Sequence, residues 1–69
     1  MNENFTERFN QALKGTDKSQ TELAKSIGVT KQCISDYKSG KSYPSIHTLK
    51  LICLNLEVSA DFLLGLSDY

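Results

Sequence analysis

The chain has 69 residues and no net charge at pH 7, with 39% hydrophobic and 23% charged residues. This size predicts a single domain, residues 1–69, with one small core and no space for a second domain around a catalytic cleft. No apolar stretch is long enough to cross a bilayer, and the polar, acidic segment 1–6 does not have the pattern of a secretory signal, so we expect a cytoplasmic protein.

Helical spacing and a capping motif predict the first two helices. One apolar stripe, formed by Phe5, Phe9, Ala12 and Leu13, predicts a helix that ends near Lys14. The next segment, 19–22, reads S-Q-T-E and is a capping box, which predicts a second helix ending at residue 27. Gly28 closes it, because glycine adopts the left-handed conformation easily. The apolar face of this helix consists of Leu23, Ala24 and Ile27.

Hydroxyl residues begin the three helices that follow. Thr30 caps a third helix, residues 31–39, which Gly40 closes and whose core-facing residues are Ile34 and Tyr37. Ser45 caps a fourth helix, with the apolar stripe Ile46, Leu49, Ile52, Cys53 and Leu56. Ser59 caps a short fifth helix that runs from residue 60 to about Leu64. Since no strand pattern appears, the sequence predicts an all-α fold, a compact five-helix bundle.

The charges are unevenly distributed along the chain. Residues 14–50 hold seven lysines against three acidic residues, whereas the segments on either side are net acidic. A polyanion responds to the local patch more than to the summed charge. The basic centre therefore favours a nucleic acid as the partner, although a chance scatter of surface charge would look similar.

The residues with metal-binding or nucleophilic side chains are too few for a catalytic or metal site. A structural zinc site takes four ligands, and the chain offers Cys33, Cys53 and His47. Cys33 and His47 could be drawn as a nucleophile set, but a bundle of this size rarely forms a pocket that excludes water. We predict no enzyme, no metal, no cofactor and no small-molecule ligand.

The segment 20–39, QTELAKSIGVTKQCISDYKS, has the pattern of a helix-turn-helix. Ala24 is small where the second helix crosses the third, and Gly28 permits the sharp turn between them. The larger apolar residues point to one shared core: Leu23, Ile27, Val29, Ile34 and Tyr37.

The chain resembles the Cro and phage-repressor type of helix-turn-helix proteins, the xenobiotic-response-element family, over roughly residues 5–66. The matching stretches are S-Q-T-E-L-A (19–24), I-G-V-T (27–30), S-G-K (39–41), P-S-I-H-T-L (44–49) and V-S-A-D-F-L-L-G (58–65). The resemblance implies a lambda-repressor-like domain whose third helix, residues 31–39, lies in the DNA major groove. It further implies a bacterial or phage transcriptional regulator that binds a double-stranded operator, and we expect a repressor.

The third helix presents a polar face opposite its core-facing residues. Gln32 can pair with adenine, Lys31 with guanine or a phosphate, and Ser35 with either kind of partner. Asp36 has two interpretations: it accepts from a cytosine amine and rejects other bases, or it lies at the edge and pairs with a lysine. The predicted base-reading residues are Lys31, Gln32, Ser35 and Asp36, although a solvated helix face would look similar.

Phosphate contacts are expected around this helix. Gln20 opens the second helix, where free amides and the helix dipole favour an anion, and the resemblance implies that it holds the DNA backbone. The basic and aromatic loop 41–43 suits phosphates, with a solvated loop whose tyrosine packs on the core as the alternative. The predicted phosphate-binding residues are Gln20, Thr30, Lys38, Ser39, Lys41, Ser42 and Tyr43.

The chain departs from the family at one pair of positions. Many members pair an arginine late in the first helix with a glutamate near the end of the third, and Leu13 and Lys38 stand there instead. Because both partners are absent, no buried charge is left unpaired. The exchange leaves Lys38 free to turn toward solvent or a phosphate.

Two further expectations concern the partners of the chain. One recognition helix reads only a few base pairs, so we expect a homodimer on DNA, with residues 62–66 and Tyr69 as the candidate contact surface. Core closure is the other explanation for Phe62 and Leu63. The alternative function is a protein-binding module of antitoxin or anti-regulator type, which the zero net charge and Asp36 on the polar face favour.

Overall fold

The computed structural model describes residues 3–68, with side chains from residue 5 onward, and these residues form five helices and no strand. The helices are α1 (Glu3–Lys14), α2 (Gln20–Ile27), α3 (Lys31–Ser39), α4 (Ile46–Leu56) and α5 (Ala60–Leu63). The predicted all-α, five-helix architecture is therefore confirmed. None of the described helices is both long and apolar enough to cross a membrane.

The core contains one fully buried large side chain from each helix. These side chains are Phe9, Leu23, Ile34, Ile52 and Leu63, in chain order. Burial of each stabilises the fold by roughly 1.5–3 kcal/mol relative to an exposed side chain. All five helices thus depend on one shared core, as the apolar stripes of the sequence predict.

Aromatic rings join α1 to α3 and to the loop after it. Phe5 and Phe9 stack with their centroids 5.4 Å apart. Phe9 then meets the Tyr37 ring edge-on at 5.9 Å, and Phe5 meets Tyr43 in the same way at 5.9 Å. These contacts fix the C-terminal half of α3 against α1.

Hydroxyl caps begin four of the five helices at the predicted positions. The side chains of Ser19, Thr30, Ser45 and Ser59 each accept a hydrogen bond from the backbone amide three residues later. Such caps satisfy amides that have no partner inside the helix. Helix α4 ends without a glycine, because Glu57 adopts the left-handed conformation with a φ of 57°.

One detail of the predicted helices is wrong. Ile46 was expected on the apolar stripe of α4, but it is 89% exposed. Ile46 lies in the first turn of α4. Helical periodicity indicates which face of α4 is apolar, but it does not indicate whether the other helices extend far enough to cover the first turn. Helix α5 ends at Leu63, as predicted for an end near Leu64, and Leu64 is 48% exposed.

Arg8 attaches the C-terminal residues to α1. Its guanidinium donates to the carbonyl oxygens of Phe62 (3.2 Å) and Ser67 (2.8 Å) and lies 4.6 Å from the centre of the Phe62 ring. The Asp68 carboxylate is 3.9 Å away and its side chain is fully exposed. These contacts hold α5 and the turn that follows it against α1.

Candidate nucleic-acid interface

Helix α2 is capped at both ends, and the cap at its C-terminal end forms the turn to α3. At the start of α2, the Ser19 amide donates to the Glu22 carboxylate (2.8 Å) and the Glu22 amide donates to the Ser19 hydroxyl (3.1 Å), which completes the capping box. At its end, Gly28 has a φ of 75°, and the Val29 amide donates to the carbonyl of Ala24 at 3.0 Å. The turn therefore directs α3 away from α2 at a fixed angle, with Ala24 buried at the crossing.

The C-terminal end of α3 is attached to α1 by Asn10. Its side-chain amide donates to the carbonyl oxygens of Thr6 (2.8 Å) and Lys38 (2.9 Å), which lie on α1 and α3. The two helices approach so closely that a Cβ at Gly40 would lie 3.1 Å from the Thr6 hydroxyl oxygen. Asn10 was not predicted from the sequence, because nothing local marks an asparagine that reaches a carbonyl 28 residues away.

These attachments leave one polar face of α3 open. The side chains of Lys31, Gln32 and Ser35 are exposed and Asp36 is partly exposed, whereas Ile34 and Tyr37 are buried on the opposite side. Burial raises the pKa of the Tyr37 phenol, and the neighbouring Cys33 and Asp36 side chains raise it further. The phenol is therefore neutral, and the charges on the open face are those of Lys31 and Asp36.

Asp36 pairs with a neighbour on the same helix. The Gln32 side-chain amide donates to its carboxylate across one helical turn, with Nε2 and Oδ1 3.0 Å apart. No lysine among the described residues lies within ion-pair distance of this carboxylate. The spacing of four residues is visible in the sequence and is typical of glutamine–aspartate pairs on helices. The two partners predicted for Asp36 were a base and a lysine, and neither interpretation included Gln32.

A basic groove lies where α1, α2 and α3 meet. It contains two predicted phosphate-binding residues, Gln20 and Lys38, together with Ser19, Lys14 and Lys18. Lys14 and Lys18 were missed, although both belong to the basic centre of the sequence. None of the residues lining the groove is acidic, so its electrostatic character suits an anion.

The remaining predicted phosphate-binding residues lie in different surroundings. Ser39 and Tyr43 line a second groove with Glu7, whose carboxylate repels a phosphate placed there. The Ser39 hydroxyl donates to the Asp36 carbonyl at 3.2 Å, and the Thr30 hydroxyl accepts from the Cys33 amide at 3.1 Å. The side chains of Lys41 and Ser42 are exposed on the adjoining loop.

The alternatives for Tyr43 both describe part of its environment. Its ring contacts Phe5 edge-on, yet 47% of the residue stays exposed. The ring thus packs against the core at one edge while the rest of the residue faces solvent beside the Lys41–Ser42 loop.

Residues 11–63 match the model of the helix-turn-helix family. The chain belongs to this family, in its Cro and phage-repressor type. The match includes α2, the turn, α3 and α4, and so covers the helix-turn-helix predicted at residues 20–39. The resemblance inferred from the sequence motifs is confirmed.

Several curated helix-turn-helix proteins are similar to this chain. It is 37% identical over 61 residues to the transcriptional activator BcrR of Enterococcus faecalis, covering 88% of this chain and 30% of that protein. It is 44% identical over 59 residues to the transcriptional regulator for conjugative element R391 of Providencia rettgeri, covering 86% and 27%. It is 37% identical over 60 residues to the SPbeta prophage-derived regulator YonR of Bacillus subtilis, covering 87% and 56%. No solved structure matches.

The helix-turn-helix chain spans less than a third of the first two relatives and about half of the third. The matching family is one of helix-turn-helix domains, and these relatives bear the names of transcription regulators, not of enzymes. The expectation that the chain is not an enzyme is therefore confirmed by the family to which it belongs.

Proposed function

We propose that residues 1–69 form one DNA-binding domain of a sequence-specific regulator that represses transcription by placing α3 in the major groove of an operator. The observation that carries this proposal is the open polar face of α3 on a helix held at both ends. A major groove about 12 Å wide admits one α-helix, and side chains along its exposed face then reach the base edges. Lys31, Gln32, Ser35 and Asp36 have hydrogen-bonding groups suited to that role. Since a bacterial or phage operator lies in the cytoplasm, the proposed location is the cytoplasm.

The basic groove supplies the proposed phosphate contacts. Its three lysines line the groove with the start of α2, where the helix dipole and the Gln20 and Thr21 amides, which the capping box does not use, attract an anion. Gln20 donates to a phosphate of the same DNA strand, while Lys41 and Ser42 extend the phosphate contacts past the end of α3. Thr30, Ser39 and Tyr43 complete the proposed set. The Glu7 carboxylate opposes a phosphate at Ser39 and Tyr43, so their contacts are the weakest of the set, and Ser39 must also release its bond to the Asp36 carbonyl in order to donate.

Salt dependence tests the phosphate contacts. Each phosphate neutralised by a lysine contributes about 0.9 to the slope of log K against log salt concentration. We expect Lys38→Gln and Lys18→Gln each to lower that slope by about 0.9 on any duplex. Lys50→Gln is the matched control, because Lys50 is an exposed lysine of α4 that does not line the groove. Equal slopes for all three variants would exclude the groove as a phosphate site.

Selection of a random duplex library by the purified chain tests the whole proposal. We expect an enriched inverted repeat with half-site centres about 10 base pairs apart, as a homodimer on DNA would require. Gln32→Ala should change the preferred base at one position of each half-site, whereas Gln20→Ala should weaken binding to all sequences. A folded protein that enriches no duplex would favour the protein-binding module instead.

The proposed dimer contact lies at the C-terminal end of the bundle. Leu63 is fully buried and therefore not available, and Phe62 is partly buried against the core. Leu64 and Leu66 are 48% and 75% exposed and form the candidate surface, whereas Tyr69 lies outside the described residues. Leu66→Glu should abolish cooperative binding to an inverted repeat while preserving binding to a single half-site.

A further inference from the structure

The hydrogen bond between Gln32 and Asp36 limits how the glutamine can present its amide. The ionised Asp36 carboxylate can only accept hydrogen bonds, so it holds the Nε2 end of the amide and repels the Oε1 end. Among the described residues, Gln32 is the only side chain that hydrogen-bonds to this carboxylate. The amide group of an unpaired glutamine can flip, which exchanges the positions of its oxygen and nitrogen. The hydrogen bond to Asp36 holds the Gln32 amide in one of these two orientations.

The bond also uses one of the two hydrogens of Nε2. What remains on Gln32 is one donor beside one acceptor. Adenine displays a matching pair in the major groove, the N7 acceptor and the N6 amino donor, whereas guanine displays two acceptors, N7 and O6. A glutamine amide that pairs with adenine uses Oε1 and the hydrogen on the same side of the amide, which leaves the opposite hydrogen for Asp36.

We propose that Asp36 is a positioning residue that directs Gln32 toward adenine and against guanine. A glutamine that reads guanine must offer both of its hydrogens, and Asp36 has already taken one of them. The inference rests on the proposed function, because it assumes that the Gln32 amide faces base edges. It assigns Asp36 a role through Gln32 rather than a base contact of its own.

Two simpler roles for Asp36 make different predictions. If its charge alone matters, removing it near phosphates should tighten binding to all sequences by the same factor. If the pair merely supports the helix, removing it should lower thermal stability and leave base preference unchanged. Positioning changes the preference at the base pair that Gln32 reads and, unlike a direct contact from Asp36 to a cytosine amine, it does so only while Gln32 is present.

The experiment compares wild type, Asp36→Asn and Asp36→Glu on duplexes that carry adenine or guanine at the position identified by Gln32→Ala. A bidentate contact discriminates between bases by about 5-fold to 150-fold, and we expect Asp36→Asn to reduce this ratio to about 2-fold, because asparagine can also donate to Oε1 and allow the amide to turn over. Asp36→Glu retains a carboxylate one turn from Gln32, so it should restore most of the ratio. In a Gln32→Ala background, Asp36→Asn should leave the ratio unchanged, since coupled residues are not additive.

The outcomes separate this inference from the proposed function. Loss of the ratio in Asp36→Asn, with recovery in Asp36→Glu, supports positioning. An unchanged ratio, or a uniform change in affinity for both duplexes, overturns it while the enriched operator and the salt slope of the wild type still stand. If the wild type enriches no duplex at all, the proposed function fails and the inference fails with it. Should Asp36→Asn not fold, the Gln32 side-chain amide resonance of wild type and Asp36→Glu provides the second measurement: both must show an amide hydrogen-bonded to a carboxylate, and a free amide in the wild type would refute the proposal.

Discussion

Glu57 at the end of α4 is a non-glycine residue in the left-handed conformation, with a φ of 57°. This conformation costs an L-residue about 1–2 kcal/mol. Glycine avoids that cost but loses more backbone entropy on folding, by roughly 0.5–1 kcal/mol. The difference predicts that Glu57→Gly raises the free energy of unfolding by about 0.5–1 kcal/mol, which for a domain of this size corresponds to a Tm roughly 2–8 °C higher.

Thermal and urea unfolding followed by circular dichroism measure this gain, and Glu57→Ala is the control. Alanine keeps a Cβ in the left-handed conformation but removes the carboxylate, which lies unfavourably near the negative end of the α4 dipole. We therefore expect Glu57→Ala to gain much less than Glu57→Gly. Equal gains would refute the backbone argument and assign the effect to charge, and a loss of stability in Glu57→Gly would refute both.

Three further substitutions test how the interface is held, each by the shift in thermal unfolding. Ala24→Leu should destabilise the fold by about 1–3 kcal/mol through overpacking at the crossing of α2 and α3, and an unmoved Tm would mean that the crossing is loose. Gly40→Ala should cost more than Gly28→Ala, because only at Gly40 would the new Cβ also press on Thr6; equal costs would show that Thr6 yields. Arg8→Ala removes two hydrogen bonds from a charged donor and should cost about 1–3 kcal/mol, whereas a neutral result would show that the C-terminal turn holds without it.

The helix boundaries could be predicted from sequence because the signals that set them are local. Ser19, Thr30, Ser45 and Ser59 cap helices through amides only three residues away. The exposure of Ile46 could not be predicted in the same way. It shares the phase of the apolar stripe, and only the packing of the other helices decides that nothing covers it.

The interface shows the same division between local and distant signals. The polar face of α3 follows from the angular spacing of residues on one helix. The basic groove, in contrast, brings Lys14 and Lys18 beside Lys38, which is at least 20 residues away along the chain. Its composition depends on how α1 packs against α3, and that packing depends on Asn10, which has no sequence signature.

The bond from Asn10 to α3 ends on the backbone of Lys38 and not on its side chain. Every amino acid provides the same carbonyl oxygen, so the attachment of α3 does not depend on which residue occupies position 38. If two charged side chains formed this junction instead, a substitution at position 38 made to alter DNA binding would also weaken the attachment of α3 to α1. Position 38 can therefore be varied together with positions 31, 32, 35 and 36, the proposed DNA-contacting positions of α3, with the helix still held in place.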